Sequence, residues 1–180
     1  SDTLPTLAII GGTGALGGGL AVRWASAGYP VVIGSRSSKK AVQAAQEINT
    51  GNNTHPVHGT DNKSAADRGD IVIITVPFSS HSAILQEISS AVAGKIVADA
   101  TVPLMPPKVA TVQLPTTGSA AFVTQEALGG HADVVAAFHN VAADKLRNLG
   151  PIDCDVLVCV NKKSARQTVI KLVKGLGMRG

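Results

Sequence analysis

Few features narrow the choice of fold as sharply as a glycine turn set between a strand and a helix, and this chain has one at Gly12-Thr13-Gly14-Ala15-Leu16-Gly17. The apolar run before it, Leu7-Ala8-Ile9-Ile10, reads as a strand buried on both faces. After it, Leu16, Leu20, Trp24 and Ala27 recur at helical spacing, and Gly28 stands where a left-handed C-terminal cap is expected. A glycine triplet alone is a weak signal; opening a strand-helix-strand unit, it is a much stronger one. Gly12 would allow the tight turn, Gly14 would let the backbone approach a pyrophosphate, and Gly17 would let helix and strand pack closely. Free N–H groups at the helix start would then face phosphate oxygens. The competing reading is a glycine-rich turn that holds nothing.

The rest of the chain continues the alternation. Val31-Val32-Ile33 reads as a second strand and residues 38–48 as a helix; Gly51-Asn52-Asn53 is a turn. Residues 55–58 make a weak third strand, demoted by Pro56, and a short helical stretch lies near Ala65. The apolar run from Ile71 to Val76 is a strand stopped by Pro77, followed by a helix over residues 80–92 and a strand over 95–99. Residues 101–118, with four prolines, form a long surface loop. A helix over 120–128, a strand over 134–138, a short helix, a strand over 156–160 and a basic helix over 164–174 complete the pattern. Such alternation predicts a Rossmann-type doubly wound, mostly parallel α/β sheet with helices on both faces, as one domain over residues 1–180.

Composition removes several function classes. Hydrophobic residues make up 44% of the 180 and charged ones 16%, which suits a folded globule. Aromatics are 3%, too few for stacking nucleic-acid bases. The net charge of +4 gathers in Arg36-Ser37-Ser38-Lys39-Lys40 and between Lys162 and Arg179, which fits a phosphate site and a solvated helix better than a nucleic-acid face. No apolar run approaches the ~20 residues needed to cross a bilayer. Cys154 and Cys159 match no zinc spacing and read as buried thiols, and Ser1-Asp2-Thr3-Leu4-Pro5 does not look like a signal segment. A cytoplasmic protein with neither nucleic-acid nor membrane partner is expected. The five histidines, His55, His58, His81, His131 and His139, show no helical metal-ligand spacing, so no metal site is assigned. No nucleophile elbow or phosphate loop is present either.

The end of the second strand carries the specificity signal. A carboxylate there would bind the ribose diol of NAD; this chain has Gly34-Ser35-Arg36-Ser37, with Lys39 and Lys40 behind. A hydroxyl and a guanidinium can hold the extra phosphate of NADP(H) by charge-assisted bonds. Arg36 could also stack on the adenine, and the bland alternative is a solvated basic turn. Val76-Pro77-Phe78 ends the fourth strand at the switch point, where Phe78 either packs near the nicotinamide ribose or merely follows the strand's end. Thr101-Val102-Pro103 and His139-Asn140 end the fifth and sixth strands on the same edge.

These segments resemble the NADPH-dependent reductases of the deazaflavin coenzyme F-420 (F420). The likeness rests on the run from Ile10 to Gly17, on Gly34-Ser35-Arg36, on Thr75-Val76-Pro77-Phe78, on the segment from Ala137 to Ala143, and on the run from Asp155 to Val160. The resemblance implies hydride transfer between NADP(H) and F420, a small-molecule redox acceptor, with no catalytic acid or base required. It implies Gly12, Thr13, Gly14, Ala15, Leu16 and Gly17 at the pyrophosphate, and Ser35, Arg36 and Lys40 at the 2′-phosphate. Val76, Pro77 and Ala143 would border the nicotinamide half, with Phe78 beside them on the reading above. Val102, His139 and Val141 would line the deazaflavin side. His139 either positions the ring or is a packed structural histidine.

Two departures stand out. Ala15 replaces an Asn that many members carry, and the chain stops at Gly177-Met178-Arg179-Gly180, where members continue for a few tens of residues. Either a tail is missing or the acceptor side is more open. Other readings remain: an NADPH-dependent flavin or ferric reductase, a non-catalytic NADP-sensing module, or the first half of a larger imine or 2-hydroxy-acid dehydrogenase. A second subunit could close the cleft as a homodimer, although the sequence names no interface.

Overall fold

The structure, a computed structural model, describes residues 3–51, 53–104, 107 and 111–180. Strands β1 (Leu7–Ile10), β2 (Val31–Ser35) and β3 (His58–Asp61) alternate with helices α1 (Ala15–Ser26), α2 (Ser38–Ile48) and α3 (Asn62–Arg68). The second half runs β4 (Ile71–Ile74), α4 (Phe78–Ile88), β5 (Ile96–Asp99), α5 (Ala120–Ala127), β6 (Asp133–Ala136), α6 (Ala143–Leu146) and α7 (Lys163–Gly175). Among the described residues six strands form one sheet in the order β3-β2-β1-β4-β5-β6, every pair parallel. Winding reverses between β1 and β4, so Leu7 lies beside both Val31 and Ile71. This is the doubly wound Rossmann arrangement, and the reversal opens a crevice at the carboxyl ends of the central strands.

Successive strand residues point to opposite faces, which divides the core in two. On one side Leu7, Ile9, Ile33 and Ile73 pack with Leu20 and Trp24 of α1 and with Val169 and Leu172 of α7. On the other, Ala8, Ile10, Val72 and Ile74 meet Ala65 and Ala66 of α3 and Ile84, Leu85 and Ile88 of α4. The chain's last third is stitched to α1. Trp24 donates its indole N–H to the Leu172 carbonyl (3.0 Å) and meets Phe138 edge-on at 5.6 Å. The buried Arg23 guanidinium donates to the carbonyls of Leu146 (3.0 Å), Leu176 (2.9 Å), Gly150 (2.7 Å) and Asn148. Gly28 adopts the expected left-handed conformation after α1, with φ of 90°.

Several sequence expectations are corrected. The third strand starts at His58, because Pro56 has no N–H for the ladder. The second strand extends through Gly34 to Ser35, and the fourth regular strand ends at Ile74. Helix α4 starts earlier than expected and ends at Ile88, followed by a 3-10 turn, Ser89–Ala91. The strand expected over residues 156–160 is not one. Cys159 exchanges two 2.9 Å hydrogen bonds with Ala136 in an antiparallel bridge, and Asp155 bridges Arg179. Side chains alternate along the segment, with Cys154, Val156, Val158 and Val160 packed toward the core and Leu157 68% exposed, but among the described residues its pairing with β6 is confined to the Cys159 bridge. The cysteines are accordingly not buried: Cys154 is half-buried and Cys159 exposed. Asn52 of the expected turn, and residues 105, 106 and 108–110 of the expected loop, lie outside the described residues. Among the described residues no helix is long and apolar enough to cross a membrane.

Candidate functional site

A cleft of about 680 Å³ lies over the carboxyl ends of β1, β2, β4 and β5. Its floor is the turn between β1 and α1. The left-handed residue of that turn is Gly11 (φ 77°), not Gly12 as the sequence suggested. Gly12 is instead required by crowding, since a Cβ there would lie 2.8 Å from Ile33 Cγ2 and 2.9 Å from the Ile9 carbonyl oxygen. At Gly17 a Cβ would come within 2.4 Å of Thr75 Oγ1 and 2.8 Å of Gly12 Cα, so close approach of α1 excludes any side chain. Gly14 differs. A Cβ there would meet only the Gly11 oxygen at 3.4 Å, so the protein itself does not demand glycine at the N-cap of α1. The free space belongs to the cleft. No side chain caps α1, and its first turn carries no acid, which leaves the amides and the positive end of the helix to a ligand.

The cleft has a polar end and an apolar end. At the polar end Ser35, 8% exposed, lies 3.5 Å from Thr13 Oγ1 and accepts the Ser37 N–H (3.3 Å). Ser37 caps α2 by accepting the Lys40 N–H (3.4 Å), which places the exposed Arg36 and Lys40 beside Ser35. Among the described residues no carboxylate lines the cleft. At the apolar end Val76, Pro77 and Phe78 face Val102 and Leu104.

Behind the apolar end is a buried polar cluster that sequence reasoning missed. Asp99, at the end of β5, is fully buried; its Oδ2 lies 2.9 Å from His81 Nε2 and accepts the Thr124 hydroxyl at 2.5 Å. Its Oδ1 accepts the Thr101 N–H at 2.8 Å, and Thr101 donates its hydroxyl to the Val76 carbonyl at 3.4 Å. Burial pushes the Asp99 carboxyl up, but His81, Thr124 and the Thr101 amide together hold it below the ordinary carboxylate value. The cluster thus fixes the wall formed by residues 100–102. The partners come from α4, β5 and α5, so no contiguous motif announces them.

Of the residues singled out from sequence, Thr13, Gly14, Ala15, Leu16, Ser35, Arg36, Lys40, Val76, Pro77, Phe78 and Val102 line this one cleft. Gly12 and Gly17 lie beneath it. Val141 is instead part of the buried core, and Ala143 opens α6. His139 is exposed and outside the cleft lining, yet desolvation by nearby protein holds its pKa below the ordinary value, against the pull of Asp99. The preceding residue, Phe138, has φ of 69°, a strained conformation for a bulky side chain; it sends the ring into the core and turns His139 outward. Asn62 also lines the polar end, and nothing in its local sequence signals it. Among the described residues no group of three or more His, Cys, Asp and Glu side chains is placed to hold a metal ion.

A parallel sheet that offers an uncapped helix N-terminus at its switch point is the construction of a dinucleotide-binding oxidoreductase domain. Comparison with known sequences makes the class specific: the chain belongs to the family described as NADP oxidoreductase, coenzyme F420-dependent, whose model matches residues 6–103. It is 37% identical to the F420-dependent NADP reductase of Methanocaldococcus jannaschii, over 92% of this chain and 77% of that one. It is 38% identical to the enzyme of the same name from Methanothermobacter marburgensis, over 93% and 78%. A hypothetical protein of Sinorhizobium meliloti has a similar crystal structure, with a TM-score of 0.78 at 25% identity over 98% of this chain and 82% of that one.

Proposed function

We propose that this chain transfers a hydride between NADP(H) and the deazaflavin coenzyme F420. The observation that carries the reading is the cleft, which joins an uncapped helix start to a polar end bearing Ser35, Arg36 and Lys40 and, among the described residues, no carboxylate. Cation and hydroxyl at that end suit a 2′-phosphate, which a carboxylate would repel. Gly14 leaves room for a pyrophosphate against the α1 amides. Bound there, the nicotinamide supplies the hydride chemistry, giving a hydride to the deazaflavin or taking one back. The chain supplies position: Val76, Pro77 and Phe78 form a dry wall for the nicotinamide half, and Val102 faces them from the acceptor side. No side-chain acid or base is assigned, because direct hydride transfer needs none. His139 is the titratable group assigned to the acceptor. Desolvation by nearby protein lowers its pKa, which favours the uncharged imidazole. The free cysteines suit a reducing compartment, and we place the protein in the cytoplasm.

The test is NADPH oxidation by the purified protein, followed by absorbance with F420, flavin mononucleotide or a ferric chelate as acceptor. Turnover with F420 alone is expected. Turnover only with flavin or iron would reassign the acceptor, and tight NADPH binding without turnover would make the chain a sensor.

A further inference from the structure

Asn62 is the first residue of α3 and only 1% exposed. Alone among the described residues, it leaves both a buried donor, Nδ2, and a buried acceptor, Oδ1, without a hydrogen-bond partner. An amide buried in this way destabilises the ligand-free fold, and an apolar side chain of similar shape would relieve the penalty. Its location gives a reason for keeping it. Asn62 lines the polar end of the cleft with Ser35 and Arg36. It occupies the space that Gly34 leaves open: a Cβ on Gly34 would lie 3.0 Å from Asn62 Oδ1 and 3.1 Å from Asn62 Cα. The strand end that carries Ser35 is thus shaped to admit this amide.

The chemistry of a carboxamide narrows what it can take. It presents one acceptor and one donating group side by side. A ribose diol, as in NAD(H), offers two hydroxyls that both donate to a carboxylate. A ribose that bears a 2′-phosphate offers acceptor oxygens beside a 3′-hydroxyl that can donate. That pair is the complement of an amide. We propose that Asn62 reads the adenosine ribose, with Oδ1 accepting from the 3′-hydroxyl and Nδ2 donating to the 2′-phosphate, and so helps select NADP(H) over NAD(H). The inference rests on the NADP(H) reading above and adds to it a second selecting group, from a different strand end than Arg36.

Calorimetric titration tests it with 2′,5′-ADP, NADP⁺ and NAD⁺ as ligands. Asn62→Asp puts a carboxylate beside the phosphate. It should weaken 2′,5′-ADP and NADP⁺ by roughly tenfold or more and alter NAD⁺ far less, so the NADP⁺ to NAD⁺ preference falls. Asn62→Leu should weaken 2′,5′-ADP by roughly tenfold while the ligand-free melting temperature stays level or rises. A purely structural amide would do the reverse, losing melting temperature and keeping the preference. The wild-type chain supplies a readout that no folding defect can obscure: the Asn62 side-chain amide resonances should move on adding 2′,5′-ADP and stay still with nicotinamide mononucleotide. Unmoved resonances, or an unchanged preference in Asn62→Asp, overturn the proposal. If wild type binds neither 2′,5′-ADP nor NADP⁺, the NADP(H) reading itself fails, and this inference with it.

Discussion

The two ends of the cleft are built on opposite principles. The polar end is built on the short turn after β2 and on the start of α3, which follows β3 directly. Its charged groups, Arg36 and Lys40, are exposed and are held by one helix cap at Ser37. The apolar end presents Val76 and Val102 to the cleft but is supported from behind by Asp99, His81 and Thr124, all buried. Exposed charges cost the fold little and are available to a ligand. A buried carboxylate must be fully bonded or it destabilises everything packed around it. Hence the polar end can supply affinity and selectivity with little stability at stake. The apolar end supplies a rigid wall, on which hydride transfer depends, at the expense of a demanding interior.

Mutation should separate the two ends. The largest effect is expected at Asp99→Ala, which strands His81 and Thr124 in the core. Removing one partner of a buried charged network costs about 3–5 kcal/mol, measurable by denaturant unfolding of the ligand-free protein. The pH dependence follows from the same carboxylate. Its folded pKa lies below the unfolded value, so its contribution is fully present above the ordinary value of 3.8 and is lost as pH falls through the depressed value. Asp99→Asn should therefore flatten the acid limb of stability below about pH 4, and an unaltered limb would show that other groups control it.

Arg36→Ala should produce the mirror image, with stability within about 0.5 kcal/mol of wild type and NADPH binding weakened by roughly tenfold. NADH binding should hardly change, and equal weakening of both cofactors would remove the 2′-phosphate assignment. The smallest effect is expected at Ser37→Ala. Losing the α2 cap costs about 1 kcal/mol by thermal melting. Cofactor affinity should fall less than for Arg36→Ala, because Ser37 only orients the turn. A larger loss of affinity than at Arg36 would mean that the hydroxyl itself touches the ligand.

What could be read from the residues in order was whatever neighbours along the chain decide. Apolar runs such as Ile71 to Ile74 announce buried parallel strands, because both faces of such a strand need apolar side chains. Helical spacing from Leu16 to Trp24 sets α1 on the sheet, and the glycine turn with the Ser35-Arg36 step places one ligand end, since each is contiguous. Tertiary structure decided the rest. Gly11 and not Gly12 takes the left-handed turn, because Gly12 is wedged between Ile33 and the Ile9 carbonyl. Residues 156–160 look like a strand and alternate like one, but among the described residues they pair with β6 only at Cys159 and Ala136, a matter of where the chain arrives and not of its composition. Asp99, His81 and Thr124 form one cluster only after three elements pack, and Asn62 matters only because Gly34 lies opposite. Local sequence controls backbone preference and burial, while the partner of a buried polar group is set by residues distant along the chain.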